Sequence, residues 1–204
     1  NILALEDISR FDLSSIRLCI SGGEPLPTGI FRQFKEKFGI ELLDAIGSTE
    51  SLIWYLATKP GRVKAGSSGQ AIPGVEVKIV DEEGKELPTG EVGELMVKAD
   101  SNSPHYWNKH EKTKETMVGE WLHTGDQFYR DEDGYYWFRG RVDDVIKAGG
   151  IKVIPTEIEA TLIEHPAVIE AAVVGAPDND GLLKPKAFAV LSKEYKPALY
   201  RANV

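Results

Sequence analysis

Ile16-Arg17-Leu18-Cys19-Ile20-Ser21-Gly22-Gly23 and, one helix length further on, Ile40-Glu41-Leu42-Leu43-Asp44-Ala45-Ile46-Gly47-Ser48-Thr49-Glu50 are the stretches on which the fold turns. Each is a short apolar run that stops at glycine, which predicts buried strands over 16–21 and 40–46. Between them Pro25 and Pro27 open a segment where Ile30, Phe31, Phe34 and Phe38 recur at near-helical spacing among charges. Gly39 stops that helix. Strand, helix, strand is α/β organisation.

Downstream of Pro60-Gly61 the texture changes. Turn signals at Pro73-Gly74, Asp81-Glu82-Glu83-Gly84, Pro88-Thr89-Gly90 and Asp131-Glu132-Asp133-Gly134 separate alternating runs such as 75–80 and 94–97. That pattern predicts antiparallel hairpins forming a barrel-like β subdomain. A third texture begins near Val142. Thr156 and Glu159 have capping-box spacing for a helix through Glu164, ended by His165-Pro166, and strands are predicted over 168–174 and 186–191. The fold class is therefore α/β and α+β. Residues 1–142 divide into an α/β piece (1–60) and a β-rich subdomain (61–142), and 143–204 form a truncated small α+β domain. No repeats or low-complexity tracts interrupt this order.

With 204 residues, 42% of them hydrophobic and 27% charged, the chain has the composition of a globular protein able to bury a core. A net charge of −8 argues against nucleic acid or an anionic membrane as the main partner, since both reward clustered Lys and Arg. The one cysteine, Cys19, rules out a disulfide framework and is expected to be a buried small hydrophobe. Neither an 18-residue apolar run nor a secretory signal is present, so a cytoplasmic protein is expected. The opening Asn1-Ile2-Leu3, without methionine, suggests an excerpt or a processed product.

Four polar clusters sit where runs end, the place where open α/β sheets present binding groups. Ser21-Gly22-Gly23-Glu24 lets a ring or phosphate approach the backbone, or is simply a tight turn. In Asp44-Ala45-Ile46-Gly47-Ser48-Thr49-Glu50, a hydroxyl beside a carboxylate suits a phosphate with Mg²⁺; the same Ser-Thr-Glu is also a helix-start signature. Trp121-Leu122-His123-Thr124-Gly125-Asp126 offers an acid able to accept ribose hydroxyls. Gly140-Arg141-Val142-Asp143-Asp144-Val145-Ile146-Lys147-Ala148-Gly149-Gly150 combines a forked cation, paired carboxylates and a glycine loop. Each cluster taken singly reads as structural. Their order reads otherwise.

Taken together, Gly47-Ser48-Thr49-Glu50, Gly93-Glu94-Leu95, Thr124-Gly125-Asp126, Gly140-Arg141-x-Asp143-x-x-x-Lys147-x-x-Gly150 and Pro155-x-Glu157-Ile158-Glu159 closely resemble the adenylate-forming (AMP-binding) superfamily of acyl-CoA synthetases. The resemblance runs from about Ile16 to Leu191. Asp44 through Glu50, Tyr106-Trp107-Asn108, Gly119-Glu120-Trp121 and Gly181 through Phe188 look most like benzoate–CoA ligases.

The resemblance implies an AMP-forming acid–thiol ligase: a small carboxylic acid, aromatic such as benzoate, reacts with Mg·ATP to acyl-AMP, and CoA then displaces AMP. It implies that Gly22, Gly23 and Glu24 wall the adenine and acyl pockets and that Asp44 accepts from the adenine amino group. Ile46, Gly47, Ser48 and Phe138 fall on the nucleotide side by the same carry-over. Thr49 is implied at the reacting phosphate and Glu50 at Mg²⁺, both in catalysis, while Asp126 and Arg141 hold the ribose. Asp143 matches the hinge of the small domain, with Lys147, Gly149 and Gly150 on the loop beside the pantetheine channel. Gly22, Gly47 and Trp54 are implied around the acyl group, although a core role for Trp54 is an equal reading. Ile46 departs from relatives that stack an aromatic on adenine, and Ala99 replaces a common glycine.

The family's Ser/Thr/Gly-rich phosphate loop ending Pro-Lys-Gly is absent from these 204 residues, and its C-terminal lysine would lie past Val204. The chain is thus expected to be a fragment lacking the N-terminal half of the enzyme, and inactive by itself. Two other readings stand beside this one: an adenylation domain serving a carrier protein, and a truncated nucleotide-binding remnant.

Overall fold

The computed structural model describes residues 2–5, 7–8, 10–192 and 195. The chain divides into two compact units, one through Phe138 and one from Arg139.

In the first unit, β1 (Cys19–Gly22) runs parallel to β2 (Leu42–Gly47), with Ser21 opposite Asp44. The helix α1 (Thr28–Phe38) joins them, the α/β unit expected from the sequence. Its entry is Pro27 in extended conformation, whose carbonyl accepts from Phe31 N–H; its exit is Gly39 at φ 67°, whose N–H closes on Lys35. Phe31 and Phe34 are buried on Leu26 and Leu42, each such burial contributing roughly 2–3 kcal/mol. Antiparallel β3 (Trp54–Ala57) and β4 (Gln70–Ala71) complete the sheet in the order β1-β2-β3-β4.

The strand predicted over 16–21 is shorter than expected, and it is not buried. Ile16, Leu18 and Ile20 are exposed because β1 is an edge strand that pairs, among the described residues, with β2 alone. Cys19 is only half-buried, packed against the α1 cluster.

The β-rich region is a curled antiparallel half-barrel. Its strands are β5 (Glu76–Val80), β6 (Gly93–Lys98), β7 (Met117–Val118), β8 (Trp121–Arg130) and β9 (Tyr136–Arg141), in the order β5-β6-β8-β7 with β9 also on β8. The turn 131–134 is closed by Asp131. Its Oδ1 accepts from the N–H groups of Asp133 and Tyr135, while its Oδ2 takes Lys64 Nζ (2.6 Å) and Trp137 Nε1 (2.9 Å). A helix that the turn pattern did not reveal, α2 (His110–Thr116), interrupts the hairpins. Tyr55 and Leu56 of β3 and Ile46 of β2 pack with Ile79, Leu95, Val97, Leu122, Phe128 and Tyr136 in one core. Both sheets of the first unit are thereby locked together.

In the second unit, β10 (Ile146–Ala148) and β11 (Ile151–Val153) form a hairpin, followed by α3 (Pro155–Ile163) and the antiparallel pair β12 (Val168–Pro177) and β13 (Leu183–Leu191). The helix lies within a residue of its predicted end, but the capping box does not form. Pro155 takes the first helical turn, so Ile154 becomes the cap and makes no side-chain bond. Thr156 Oγ1 instead donates to Arg139 O (3.3 Å), and Glu159 Oε1 accepts from Val173 N (2.7 Å), tying the helix to β12. No helix among the described residues is long and apolar enough to cross a membrane.

Candidate functional site

Beyond β2 the chain turns sharply. Ser48 is the extended residue that opens a 3₁₀ turn over Thr49–Ser51, and its Oγ accepts from Ser51 N (3.3 Å). Leu52 closes the turn in the left-handed region at φ 62° while 84% exposed. A branched, exposed leucine there costs about 1–2 kcal/mol, strain of the kind that gathers at functional sites. Gly47 is required by close approach. A Cβ there would stand 2.5 Å from Ile53 O and 2.7 Å from Trp54 Cα, where the chain doubles back into β3.

This turn rims an open cleft of about 690 Å³ lined by Gly23, Gly47, Ser48, Thr49, Leu52, Ile53 and Trp54. Of the residues predicted for the site, the structure thus gathers Gly23, Gly47, Ser48, Thr49 and Trp54 in one place. Gly22 adjoins them, since a Cβ on it would lie 3.6 Å from Trp54 Nε1. The Trp54 ring is 43% exposed at the cleft and is not a core tryptophan. Glu24 is exposed and lies outside the cleft lining.

Asp44 is 6% exposed and shares a strand with Gly47, outside the cleft lining. Burial pushes its carboxyl up from 3.8 to about 6, against the pull of backbone N–H groups from Leu26 and Ala45. The Leu26 bond ties the loop after β1 to β2. Thr58 closes the other side: its Oγ1 accepts from Asp44 N (2.8 Å) and its N–H donates to Asp44 O (2.9 Å). Ile46, two residues on, packs into the core that also takes Phe138, whose ring meets Phe128 edge-on at 5.4 Å.

Glu50 is held from a distant part of the chain. Tyr106 Oη donates to its Oε1 at 2.6 Å, and Ser103 N donates to its carbonyl at 2.6 Å. Burial, then the adjacent Glu50, push the Tyr106 phenol up from its ordinary value. Sequence reasoning took Tyr106 only as part of a subfamily phrase. Its signal, an aromatic hydroxyl 56 residues from its partner, has no local periodicity to betray it.

Asp126 sits on a bulge of β8. Glu94 pairs with Gln127 and Met96 with His123, so the single residue Leu95 faces Thr124, Gly125 and Asp126. Gly125 takes φ 71° there. Glu94 fills the gap: Oε1 accepts from Gly125 N (3.1 Å) and Oε2 meets His123 Nδ1 (3.0 Å). Thr124 Oγ1 donates to Leu95 O (2.8 Å) and accepts from Asp126 N (3.1 Å). The Gly93-Glu94-Leu95 and Thr124-Gly125-Asp126 elements, far apart in sequence, are therefore two halves of one device that aims Asp126.

Arg141, Asp143, Lys147, Gly149 and Gly150 belong to the second unit. Lys147 stands opposite Lys152 in the β10–β11 hairpin, and Gly149 (φ 58°) and Gly150 (φ 84°) form its two-residue turn. Asp143 lines a cleft of about 500 Å³ with Gly140, Thr156, Glu159 and Val173.

The chain belongs to the AMP-binding enzyme family. Residues 2–107 match the family's model, and residues 157–203 match that of the AMP-binding enzyme C-terminal domain. The chain is similar to the benzoate–CoA ligase of Thauera aromatica, with 44% identity over 196 residues, 96% of this chain and 37% of that protein. It is also 44% identical over 177 residues to the 4-hydroxybenzoate–CoA/benzoate–CoA ligase of Rhodopseudomonas palustris, covering 87% of this chain and 33% of the relative. Among solved structures, the anthranilate–CoA ligase AuaEII in complex with anthranoyl-AMP superimposes with a TM-score of 0.87 at 48% identity, over 97% of this chain and 38% of that one. The chain thus spans about a third of the length of the curated relatives it matches.

Proposed function

We propose that these residues are part of an ATP-dependent ligase that activates an aromatic carboxylic acid, benzoate or a close analogue, and joins it to CoA. In the first half-reaction a carboxylate oxygen of the acid bonds to the α-phosphorus of ATP and pyrophosphate leaves. In the second, the CoA sulfur bonds to the acyl carbon and AMP leaves. The observation that carries this reading is the turn at Thr49–Ser51: it puts the Thr49 hydroxyl on a cleft that Trp54 also lines and, next in the chain, holds the Glu50 carboxylate clamped by Tyr106. The relatives named above, two acting on benzoate and one bound to an aryl-adenylate, support the aromatic class.

Thr49 donates to a phosphoryl oxygen as charge develops there. Asp44 accepts from the adenine amino group, and Asp126, stiffened by Glu94, accepts from the ribose hydroxyls. No cluster of three or more His, Cys, Asp or Glu suited to a metal occurs among the described residues. A single carboxylate beside substrate phosphates is nevertheless how Mg²⁺ is usually held, so Glu50 fits that ion. When bound, Mg²⁺ supplies neutralisation of phosphate charge. In this reading Asp143 is the hinge residue of the second unit and the Lys147–Gly150 hairpin serves the thiol step.

The test is benzoate-dependent ATP–pyrophosphate exchange by the full-length protein, followed by AMP titration of wild type and Asp126→Ala. Exchange with an aromatic acid, and weaker AMP binding by the variant, are expected. Exchange with no aromatic acid removes the substrate assignment; equal AMP binding by the variant removes the ribose contact.

A further inference from the structure

Glu50 is gripped by one connection, residues 99–109 between β6 and α2. Tyr106 donates its phenolic hydrogen to Glu50 Oε1 at 2.6 Å. Thr116, a buried residue at the end of α2, lies against the same hydroxyl. A phenol has one hydrogen to give and an ionised carboxylate can only accept, so that hydrogen goes to Glu50. Charge-assisted bonds of this length are the strong ones.

The backbone beneath is held just as firmly. Ser103 N donates to Glu50 O (2.6 Å), and Ser51 Oγ donates to Asn102 Oδ1 (2.6 Å). Asn102 Nδ2 in turn donates to Val97 O on β6 (3.0 Å), and Tyr106 N donates to Thr113 Oγ1 on α2 (3.0 Å). The turn bearing Thr49 and Glu50 is therefore anchored to the half-barrel at both main chain and side chain.

We propose that Tyr106 is a positioning residue for Glu50: it fixes the rotamer of that carboxylate, with Thr116 orienting the hydroxyl, so that the side chain is pre-set for Mg²⁺ on the nucleotide. This rests on the reading of Glu50 as the metal-holding carboxylate. Outer-shell partners of metal-holding groups govern affinity because a ligand that must first be ordered binds more weakly.

The experiment is a Mn²⁺ titration by electron paramagnetic resonance on the full-length protein saturated with a non-hydrolysable ATP analogue. Wild type, Glu50→Gln, Tyr106→Phe and Thr116→Val are compared, each checked for folding by its melting curve. Tyr106→Phe keeps the ring and removes one oxygen; it is expected to weaken Mn²⁺ about tenfold, the lower range for loss of an outer-shell partner. The Mg²⁺ concentration that half-saturates pyrophosphate exchange should rise in parallel, with the KM for the acid unchanged. Thr116→Val should shift Mn²⁺ affinity in the same direction by a smaller factor, and it decides the matter should Tyr106→Phe fail to fold. Wild-type Mn²⁺ affinity in Tyr106→Phe, or in Thr116→Val where that variant must decide, beside a weakened Glu50→Gln overturns the positioning role while leaving Glu50 as the ligand. Unchanged affinity in Glu50→Gln overturns both.

Discussion

Replacing Asp44 by Asn should make the protein more stable at neutral pH and leave it little changed in acid. The carboxyl is 6% exposed, and burial lifts it from 3.8 to about 6. A carboxyl lifted in the folded state favours folding while protonated, and that advantage is lost as pH rises through the folded value. The folded protein binds more protons than the unfolded chain across the window from 3.8 to about 6, so stability falls with pH there and the loss is complete above it. At about 1.4 kcal/mol per pH unit, ionising Asp44 costs on the order of 3 kcal/mol, about 2 of which accumulate between about pH 4.5 and pH 8. Asparagine carries no charge, so the variant's stability does not follow that titration. Urea denaturation of wild type and Asp44→Asn at those two pH values reads the difference directly. The variant should gain about 2 kcal/mol more at the higher pH than at the lower. Parallel stability–pH curves for the two proteins would refute the account of Asp44 as a buried, ionisation-penalised group.

Gly47→Ala should destabilise the chain by about 1–3 kcal/mol and distort the cleft, because the new methyl meets backbone and not a side chain that can swing away; it would stand 2.5 Å from Ile53 O. Denaturant midpoints measure this, and a fully stable Gly47→Ala would show that the doubling-back is not tight. Glu94→Ala should weaken AMP binding severalfold with Asp126 intact, since it strips the Gly125 N–H and His123 partners that hold the bulge. Its stability cost should be about 1–2 kcal/mol. Wild-type AMP affinity in that variant would mean the bulge keeps its form without Glu94.

Local patterns carried much of this protein because their causes are local. The α1 helix follows from aromatic spacing between two prolines and a glycine, and Gly39 stops it where a left-handed residue is needed. The half-barrel strands follow from alternation punctuated by turns. Two expectations failed for non-local reasons, and one helix went unseen for a local one. The strand over 16–21 is apolar yet exposed, because burial depends on what covers an edge. The Thr156–Glu159 spacing promised a cap, but Arg139 O and Val173 N claimed the two side chains. Helix α2 is short and charged, with no apolar stripe to announce it.

The residues of the site were legible as motifs, since the hydroxyl, carboxylate and glycine types that handle a nucleotide stand in recognisable order along the chain. What the motifs do to one another was not. That Glu94 braces the bulge of Asp126, or that Tyr106 grips Glu50 from 56 residues away, depends on which strands lie side by side. Sequence by itself determined the element types and the chemical inventory, because propensity and spacing act within a few residues. Only tertiary structure decided burial, register and partnership, because those are settled by whichever distant atoms arrive within hydrogen-bond reach.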